Sequence, residues 1–584
     1  MKKQTGTGSP KGLPVFLLSP ADFFKKEQIL KEPKLKKGID FPAKALYNRD
    51  DRIFPEKRKE ETMSIRFEKL TETARAELDA RYRAMKAETE QFAPQPTPTG
   101  AVYYFSALRG NDEADGTTPD TPWKSLTRIN DLAQGCTVLI ECGSVFHQAP
   151  RPDDTSLIYP KSGMTFAAYG KGAKPVLYGS IDARGAENWV QVAPCVYRFA
   201  TPVSRRDDIA NISFDGGKAW GIKIQMTYSK DSENLYTVPA YCSLALENVC
   251  NGLTTYEKLG SFPLRTGAEL QSYDLCYYHN LETGDFYLYS EGGNPGDRFS
   301  SIELARKQKI FLAGKGVENL TFLNLDLRCA GEFGIRTCNT KNLVVKNCSF
   351  FFIGGAVQPG FGKSWRNYDT RLGNAIENWG FCEGMTVENC YFDQIYDAAI
   401  TTQANDNVQQ TKQFYRGNVI RRAYYGVELW TGDNAEVDRP FIDFDISGNY
   451  FNDCGLGLAT TRPDKHEWKD GTPIDAFIKS SRGLYRAENV KVVDNIVDGA
   501  AEKMYYCSQP ATTENQNGYL FDRNTYIFRR GAVFAGLPAD LPTLTGKYTN
   551  GKYAIETKAY AYTEEDLKTL AAAGIDANST FYYL

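Results

Sequence analysis

The sequence contains little histidine and almost no net charge. Three histidines occur in 584 residues, at His147, His279 and His466, and the formal net charge at pH 7 is -3. Because the histidines are few and far apart in the sequence, they argue against a histidine-rich metal centre and weaken the case for a Ser-His-Asp triad. Without a basic excess, the chain also lacks the electrostatic footprint of a nucleic-acid-binding protein.

Long apolar runs and paired cysteines are missing as well. The apolar run near the start, LPVFLL, is too short for the apolar region of a signal peptide, and no later stretch approaches a transmembrane span. The thirteen cysteines are scattered without a CxxC pair, which is typical of reduced buried thiols. We therefore expect a cytoplasmic protein without nucleic acid or membrane as partners.

Aromatic residues, by contrast, are abundant, with 35 Tyr, 33 Phe and 7 Trp. Exposed rings suit stacking against the apolar face of a sugar. We expect most of these rings to lie in the core and on the surface of β-sheets, where aromatic residues are generally enriched.

Seven segments from residue 319 onward share alternating apolar residues that run into an asparagine, as in NLVVKNCSF and GMTVENCYF. The steps between the asparagines are 23, 42, 29, 31, 46 and 29 residues, and the shortest steps suit one coil of a parallel β-helix. We expect the asparagines to recur at one left-handed turn position and to stack their amides into a hydrogen-bonded ladder. They are Asn324, Asn347, Asn389, Asn418, Asn449, Asn495 and Asn524.

Two stretches further upstream carry a family resemblance. YYFSALRGNDEADGTTPDTPWKSLTRINDLAQGCTVLIECGSVF, residues 103–146, resembles the opening of carbohydrate-active, pectate-lyase-like parallel β-helix proteins, and SGMTFAAYGKGAKPVLYGS, residues 162–180, is similar to their next coil. The resemblance implies an all-β fold, a right-handed parallel β-helix solenoid over about residues 100–530. Because this fold hosts hydrolases, lyases and binding proteins, the reaction stays open.

The solenoid is expected to carry a helical N-terminal extension and an inserted β-rich region. From Met63 to about Glu90 one helical face carries Leu70, Ala74, Leu78, Tyr82 and Met85. We expect this stripe to pack on its own chain, the alternative being a second subunit of a homo-oligomer. The expected regions are 1–99 (arm and helix), 100–184 (first coils), 185–305 (inserted β-rich region), 306–540 (main coils) and 541–584 (C-terminal cap).

Three segments can be aligned on an apolar residue, at steps of 24 and 27 residues. The apolar residues are Ile376, Ile400 and Val427. If they face inward, the period of two in a strand turns Glu377, Thr401 and Glu428 outward on one side. Asp397 has the same parity as Thr401 and would also face outward.

Trp379 and Trp430 each follow one of these glutamates by two residues. The same period places each indole beside its acid, and two Glu-x-Trp repeats on one face predict a platform for a sugar. The alternative is an exposed strand whose acids are simply solvated.

Further candidate binding residues lie around this face. Arg336 in GIRTC would face outward one coil earlier, and two long loops would overhang the acids. The loop residues are Lys363, Trp365, Arg366, Arg462, His466 and Trp468.

The separation of the acids bears on the mechanism. Acids on adjacent coils would lie about 5 Å apart plus a lateral offset, and acids two coils apart about 9.6 Å. Retaining glycosidases hold their carboxyl groups about 5 to 5.5 Å apart and inverting ones about 6.5 to 9.5 Å apart. YDAAIT and GVELW also resemble elements of β-helical glycoside hydrolases of the β-xylosidase group. That resemblance implies Asp397 as nucleophile, Glu428 as acid/base and Glu377 as the third acid.

We therefore expect a glycoside hydrolase that releases terminal, xylose-like sugars from short oligosaccharides, retaining by preference, without a cofactor. One alternative is a polysaccharide lyase with a Lys or Arg base and calcium, whose hard oxygen ligands the acids would supply. The other is a non-catalytic carbohydrate-binding β-helix.

Overall fold

The computed structural model describes the chain from residue 65 onward, with gaps. The described ranges are 65–95, 97–203, 207–223, 274–281, 283–358, 370–404, 408–431, 440–461, 476–480, 487–499, 503–507, 518–528, 533–535, 548–550, 555–557, 559–561 and 564–584. The expected arm, residues 1 to about 62, lies outside them.

Parallel pairing of strands organises the described chain. A 27-stranded sheet contains strands from nearly the whole described length, and a strand typically pairs with the strands one repeat before and one repeat after it. Such pairing follows from the alternating pattern, because a slip of one residue would turn each apolar side chain to the opposite face. The expectation of a mostly β chain with a large parallel sheet is confirmed.

The pairings fall into three rows, and several long strands bend and serve two of them. The first row contains Ser156–Ile158, Lys309–Lys315, the starts of Phe333–Lys346 and Ile376–Glu388, the ends of Tyr391–Gln403 and Val419–Trp430, Ala476–Ser480, Lys503–Cys507 and Val533–Ala535, with Ala559–Ala561 antiparallel at its end. The second row contains Val102–Phe105, Thr137–Glu141, Thr165–Tyr169, Leu320–Leu323, the ends of Phe333–Lys346 and Ile376–Glu388, Gln410–Arg416, Phe441–Ser447, Ala487–Val493 and Tyr519–Asp522. The third row contains Val145–Phe146, Val176–Tyr178, Asp326–Arg328, Ser349–Ile353, the starts of Tyr391–Gln403 and Val419–Trp430, Tyr450–Asn452, Ile496–Asp498, Thr525–Phe528, Thr580–Tyr583 and Arg66–Lys69.

Smaller sheets lie outside these rows. One contains Trp189–Ala193, Val196–Phe199, Ile222–Lys223, Cys276–Asn280 and Asp285–Tyr289, and another contains Ser180–Asp182, Ile209–Phe214, Ala219–Trp220 and Ile302–Arg306. Two further pairs are Ala356–Val357 with Arg371–Leu372 and Tyr548–Asn550 with Ile555–Thr557. The α-helices are Glu72–Glu90, Pro295–Arg298 and Glu564–Ala572, and the 3-10 helices are Leu126–Asp131, Ala186–Asn188 and Gly457–Thr461. The segment 185–305 thus has β-structure of its own.

Aromatic rings fill much of the core between the rows. Phe350 and Phe392, on neighbouring strands of the third row, stack with ring centroids 4.9 Å apart. Phe166 and Phe322 stack in the same way at 5.1 Å in the second row. Each fully buried side chain of this size contributes about 2 to 3 kcal/mol of burial free energy, so repetition of such pairs stabilises the stack.

The N-terminal helix lies against its own chain, as expected. Leu78 and Met85 are buried, and Met85 packs with Val419 and Tyr450 of the third row. Arg75 adds a bidentate contact to Asp498, at 2.6 and 3.2 Å. In the described part of the chain, no helix is long and apolar enough to cross a membrane.

The helix begins later than the sequence pattern predicts. Residues Arg66–Lys69 form a strand that pairs in parallel with Thr580–Tyr583, so the segment after Met63 joins the end of the third row instead. Thr71 then caps the helix, accepting a hydrogen bond from the Ala74 amide at 3.1 Å. The first helical residue is Glu72.

The seven asparagines are structural, but they occupy two positions rather than one. Asn324, Asn347 and Asn389 have φ of 60°, 49° and 50°, and the left-handed position passes to Gly417 and Gly448 in the next two repeats. The other four asparagines stand one residue later in their repeats. The hydrogen bond from the backbone N–H of Cys390, the residue after Asn389, to the Asn418 side chain shows this shift. The expectation of one shared turn position is therefore wrong, since glycine and asparagine both tolerate left-handed backbone.

These four later asparagines form the ladder. Asn418, Asn449 and Asn495 each donate from the side-chain amide to the next asparagine's oxygen, at 2.9, 3.0 and 3.1 Å. Asn524 ends the series by donating to Asp576 at 2.9 Å. All four are buried, so each side-chain amide supplies its neighbours with the hydrogen-bond partner that water would supply at an exposed position.

We expect Asn449→Leu to destabilise the protein by about 2 to 4 kcal/mol. The substitution removes the acceptor for Asn418 and the donor to Asn495 and leaves both partners buried. Chemical denaturation measures the loss. The control is Asn389→Gly, at a left-handed position that glycine fills two repeats in a row, and it should change stability by less than about 0.5 kcal/mol. Equal losses in both variants would contradict the ladder.

The carboxyl group of Asp576 makes stability depend on pH. Burial raises its pKa from 3.8 to about 6, although Ser579, Asn524 and Tyr526 all donate hydrogen bonds to it. Because the folded pKa is the higher one, the stabilisation is fully present below about pH 3.8 and is lost as the pH rises through about 6. The whole change amounts to about 3 kcal/mol.

Asp576→Asn should remove this dependence, because an amide of the same shape cannot ionise. We expect the unfolding free energy of the variant, relative to the wild type, to rise between pH 4 and pH 7. Urea titrations at the two pH values measure the difference. A difference that does not change with pH would show that Asp576 does not ionise in this range.

Candidate active site

The three apolar anchors stack in register. Ile376 pairs with Ile400 and Ile400 with Val427, and all three lie in the core. The alignment made from the sequence is confirmed. The residues that follow the anchors therefore share one register position on the opposite side of the first row.

That position carries a series of charged residues. Arg336 pairs with Glu377, Glu377 with Thr401, Thr401 with Glu428, and Glu428 with Lys479. We call these five residues the acid row. The row is symmetric in charge. A cation lies at each end, a carboxylate lies next to each cation, and a hydroxyl lies in the centre.

Glu377 is held by three donors. The Arg336 Nε lies 2.9 Å from its Oε1, and Oε2 accepts from Asn374 Nδ2 at 2.7 Å and from Gln403 Nε2 at 3.1 Å. Three donors on the two carboxyl oxygens fix the orientation of the Glu377 side chain.

Glu428 has fewer contacts. Its Oε1 accepts a hydrogen bond from Lys479 Nζ, and its Oε2 is 3.5 Å from the Thr401 hydroxyl, which is at the limit of a hydrogen bond. Lys479 also lies over the ring of Tyr425, with Nζ 4.3 Å from the centroid. With one cation and one weak hydroxyl contact, Glu428 has fewer donors around it than Glu377.

Both acids are buried although they point away from the core. Glu377 is 3 % exposed and Glu428 5 % exposed, while Thr401 between them is fully buried. The alternative of acids that are simply solvated is therefore wrong for this row. Burial of a carboxylate costs several kcal/mol unless it is paired, which explains why each one contacts a cation.

Asp397 lies apart from the acid row along its strand. It is 7 % exposed, its backbone N–H donates to Gly373 at 3.2 Å, and Gly373 precedes Glu377 by four residues. A register irregularity between Ile395 and Ala398 shifts this segment relative to the next strand. The Asn374 side chain nevertheless links the segment to Glu377, because it donates to Glu377 at 2.7 Å and accepts the backbone N–H of Ala398 at 2.8 Å.

The two tryptophans lie side by side at the edge of the acid row. Trp379 and Trp430 flank Gln403 in register, and their ring centroids are 6.0 Å apart with an interplanar angle of 47°. Both rings are half-buried, so each keeps a surface accessible to a ligand. This arrangement has the geometry expected of a sugar platform.

The loop residues named from the sequence cannot be placed. Trp365, Arg462, His466 and Trp468, together with Lys363 and Arg366, lie outside the described residues. Arg336 is the one cationic candidate that the sequence placed on this face, and it does contact Glu377.

Lys479 and Gln403 were missed by sequence reasoning. The segment AFIKS repeats the order of apolar anchor and charged residue seen in GVELW, with Ile478 as the anchor. The step from Val427 to Ile478 is 51 residues, far longer than the two steps before it, so the repeat is hidden. Gln403 carried a weaker signal, its parity with Thr401.

Within the described ranges, no three His, Cys, Asp or Glu side chains converge as metal ligands do. Glu332, next to this region, contacts Lys309 just as Glu377 contacts Arg336 and Glu428 contacts Lys479. These three carboxylates thus contact cationic side chains rather than one another.

Comparison with known proteins finds similarity to a named enzyme over a short part of the chain. No protein-family model matches the chain. A lacto-N-biosidase of Bifidobacterium longum is 36% identical over 101 residues, which is 16% of this chain and 6% of that protein. The match thus spans only a small part of the length of this relative.

Likeness to solved structures is weak. One titled a glycoside hydrolase has a TM-score of 0.39 at 11% identity, covering 76% of this chain and 98% of its own. XylC in complex with xylose has a TM-score of 0.37 at 12% identity, covering 82% of each chain. A lacto-N-biosidase from Eubacterium ramulus has a TM-score of 0.28 at 10% identity, covering 83% and 68%. Scores this low do not establish a shared fold.

The tryptophan pair can be tested without a substrate. Two indoles 6.0 Å apart and inclined by 47° should couple their electronic transitions and give a paired positive and negative band in circular dichroism. Trp379→Phe and Trp430→Phe should each abolish the whole couplet, because one ring alone cannot produce it. Trp189→Phe, in another sheet, is the control and should leave it intact. A couplet that survives either single substitution would contradict the pairing.

Proposed function

We propose that the chain is a glycoside hydrolase whose catalytic carboxylates are Glu377 and Glu428 of the acid row. The observation that carries the proposal is the placement of two buried, individually paired carboxylates at one register position beside two half-buried indoles. Two carboxyl groups beside a sugar platform are the parts that glycosidic hydrolysis needs. The similarity to a lacto-N-biosidase supports the same class.

The spacing within the row favours inversion of the anomeric centre. Glu377 and Glu428 are separated by one intervening strand, hence by about 9.6 Å between strands. This strand separation is close to the upper limit of about 9.5 Å between the carboxyl groups of inverting enzymes and leaves room for a water molecule. The sequence favoured retention with Asp397 as nucleophile, and that assignment is the alternative to the pair proposed here.

The two acids have different roles in this proposal. Glu377, oriented by Arg336, Asn374 and Gln403, removes a proton from the attacking water. Glu428, whose carboxyl group Lys479 contacts, gives a proton to the leaving glycosidic oxygen. The indoles of Trp379 and Trp430 pack against the sugar and hold the glycosidic bond between the acids.

The substrate is proposed as a short oligosaccharide. The released unit is either xylose-like, as the resemblance to the β-xylosidase group implies, or the unit that the name lacto-N-biosidase denotes. The three rows of parallel strands, with repeat steps of 24 and 27 residues, support a right-handed parallel β-helix of the pectate-lyase-like kind as the scaffold.

A polysaccharide lyase is the second candidate. Lys479 and Arg336 stand on the same face as the acids, and a lyase needs such a cation to remove a proton. Both are engaged by carboxylates, which favours the hydrolase. An unsaturated product, detected by its ultraviolet absorbance and lost on chelation of calcium, would favour the lyase.

We expect Glu377→Gln and Glu428→Gln each to lower kcat by about 10²- to 10⁴-fold on aryl glycosides. The panel includes aryl β-xylosides and aryl lacto-N-biosides. The loss in Glu428→Gln should shrink with a dinitrophenyl leaving group, which needs no acid, whereas the loss in Glu377→Gln should not. The matched control is Glu383→Gln, a more exposed acid on the same strand that contacts Lys412, and it should keep full activity.

The stereochemistry of the product separates the two carboxylate assignments. Proton NMR of the first-formed sugar should show the inverted anomer, and Asp397→Asn should retain activity within about tenfold. A retained anomer, together with loss of turnover in Asp397→Asn, would move the nucleophile to Asp397 and refute the pair proposed here.

A further inference from the structure

A separate pocket lies between the N-terminal helix and the third row of strands. Its volume is about 400 Å³, and the helix contributes Arg75, Asp79 and Tyr82 to its wall. The acid row belongs to the first row of strands, so this pocket is a different site. Its volume falls within the usual range of small-molecule sites.

The opposite wall presents polar groups at regular spacing. Arg421 pairs in register with Asn452, and Asn452 with Asp498, so these three residues are stacked at about 4.8 Å intervals. A guanidinium, an amide and a carboxylate in sequence offer donors and acceptors in alternation. Hydroxyl groups around a sugar ring both donate and accept, and they are separated by similar distances.

The charges of the lining nearly cancel. Arg75 is already engaged by Asp498 at 2.6 Å, and Tyr450 donates to the same carboxylate at 2.9 Å. Arg421 Nε is buried and has no hydrogen-bond acceptor within the described ranges. A lining of two arginines and three aspartates does not favour a polyanion, and its polarity does not favour an apolar ligand.

The aromatic part of the site is the ring of Tyr82. Tyr82 is partly exposed and lies edge to face with the buried Tyr450, with centroids 5.3 Å apart, one from the helix and one from the strands. We propose that this pocket binds a neutral mono- or disaccharide, separately from the proposed catalytic site. Asp79 and Asn452 bind the hydroxyls of the ligand, and Tyr82 contacts its C–H face.

Such a ligand would bridge the helix and the strands. Because one wall belongs to Glu72–Glu90 and the other to the third row, occupancy should slow local opening of the helix. The site thus links sugar concentration to the attachment of the N-terminal segment, independently of whether the acid row hydrolyses anything.

The test is hydrogen exchange of the full-length chain, carrying Trp379→Ala and Trp430→Ala to impair the sugar platform, with xylose, galactose, N-acetylglucosamine and lactose as probes. We expect at least one neutral sugar to protect residues 72–90 at about 10 mM or below, a concentration typical of weak sugar binding. Asp79→Ala should raise the half-saturating concentration at least tenfold. Its side chain is half exposed and makes only a 3.7 Å contact to Arg75, so the variant should fold normally.

Glu77→Ala is the matched control, since it removes one exposed carboxylate from the same helix outside the pocket. It should leave the titration unchanged. Three results would overturn the proposal: no protection by any of the four sugars at about 50 mM, equal weakening by Glu77→Ala and Asp79→Ala, or protection by citrate and phosphate in place of the sugars.

Discussion

The inward packing of one apolar residue per repeat fixes the rest of the structure. Ile376, Ile400 and Val427 stack in the core, and their parallel pairing sets the register of each neighbouring residue. A slip of one residue would bury Glu377 and Glu428 in the apolar interior and expose the anchors. The free energy of burying the anchors therefore also maintains the alignment of the acids.

This alignment is costly for stability. The two carboxylates of the acid row are buried and must lose much of their hydration, whereas Arg336 and Lys479 remain partly exposed. Pairing with Arg336 and Lys479 offsets this cost, but apolar residues of similar volume would often be as stable or more so. We interpret the row as an arrangement retained for catalysis. The aromatic core and the buried asparagine ladder offset its destabilising effect.

Two segments far apart in the sequence lie together at one end of the third row. Arg66–Lys69 pairs with Thr580–Tyr583, which itself pairs with Thr525–Phe528, and the helix that follows runs back along the third row. Along this path Asn347 donates to the carbonyls of Glu88 and Gln91, so asparagines left out of the ladder hold the N-terminal segment. A parallel stack has exposed edges at its ends, and this added strand covers one of them.

The sequence alone determined the strand type, the repeat and the alignment of Glu377, Thr401 and Glu428, because a period of two and a step of one repeat are local properties. The sequence did not distinguish the left-handed turn position from the ladder position, because asparagine occurs at both. Glycine replaces asparagine only at the left-handed position. Lys479 was hidden by a long insertion, and the displacement of Asp397 arose from a local irregularity in pairing. The burial of the acids and the pocket under the helix were decided by tertiary structure alone, because both depend on side chains brought together from distant parts of the chain.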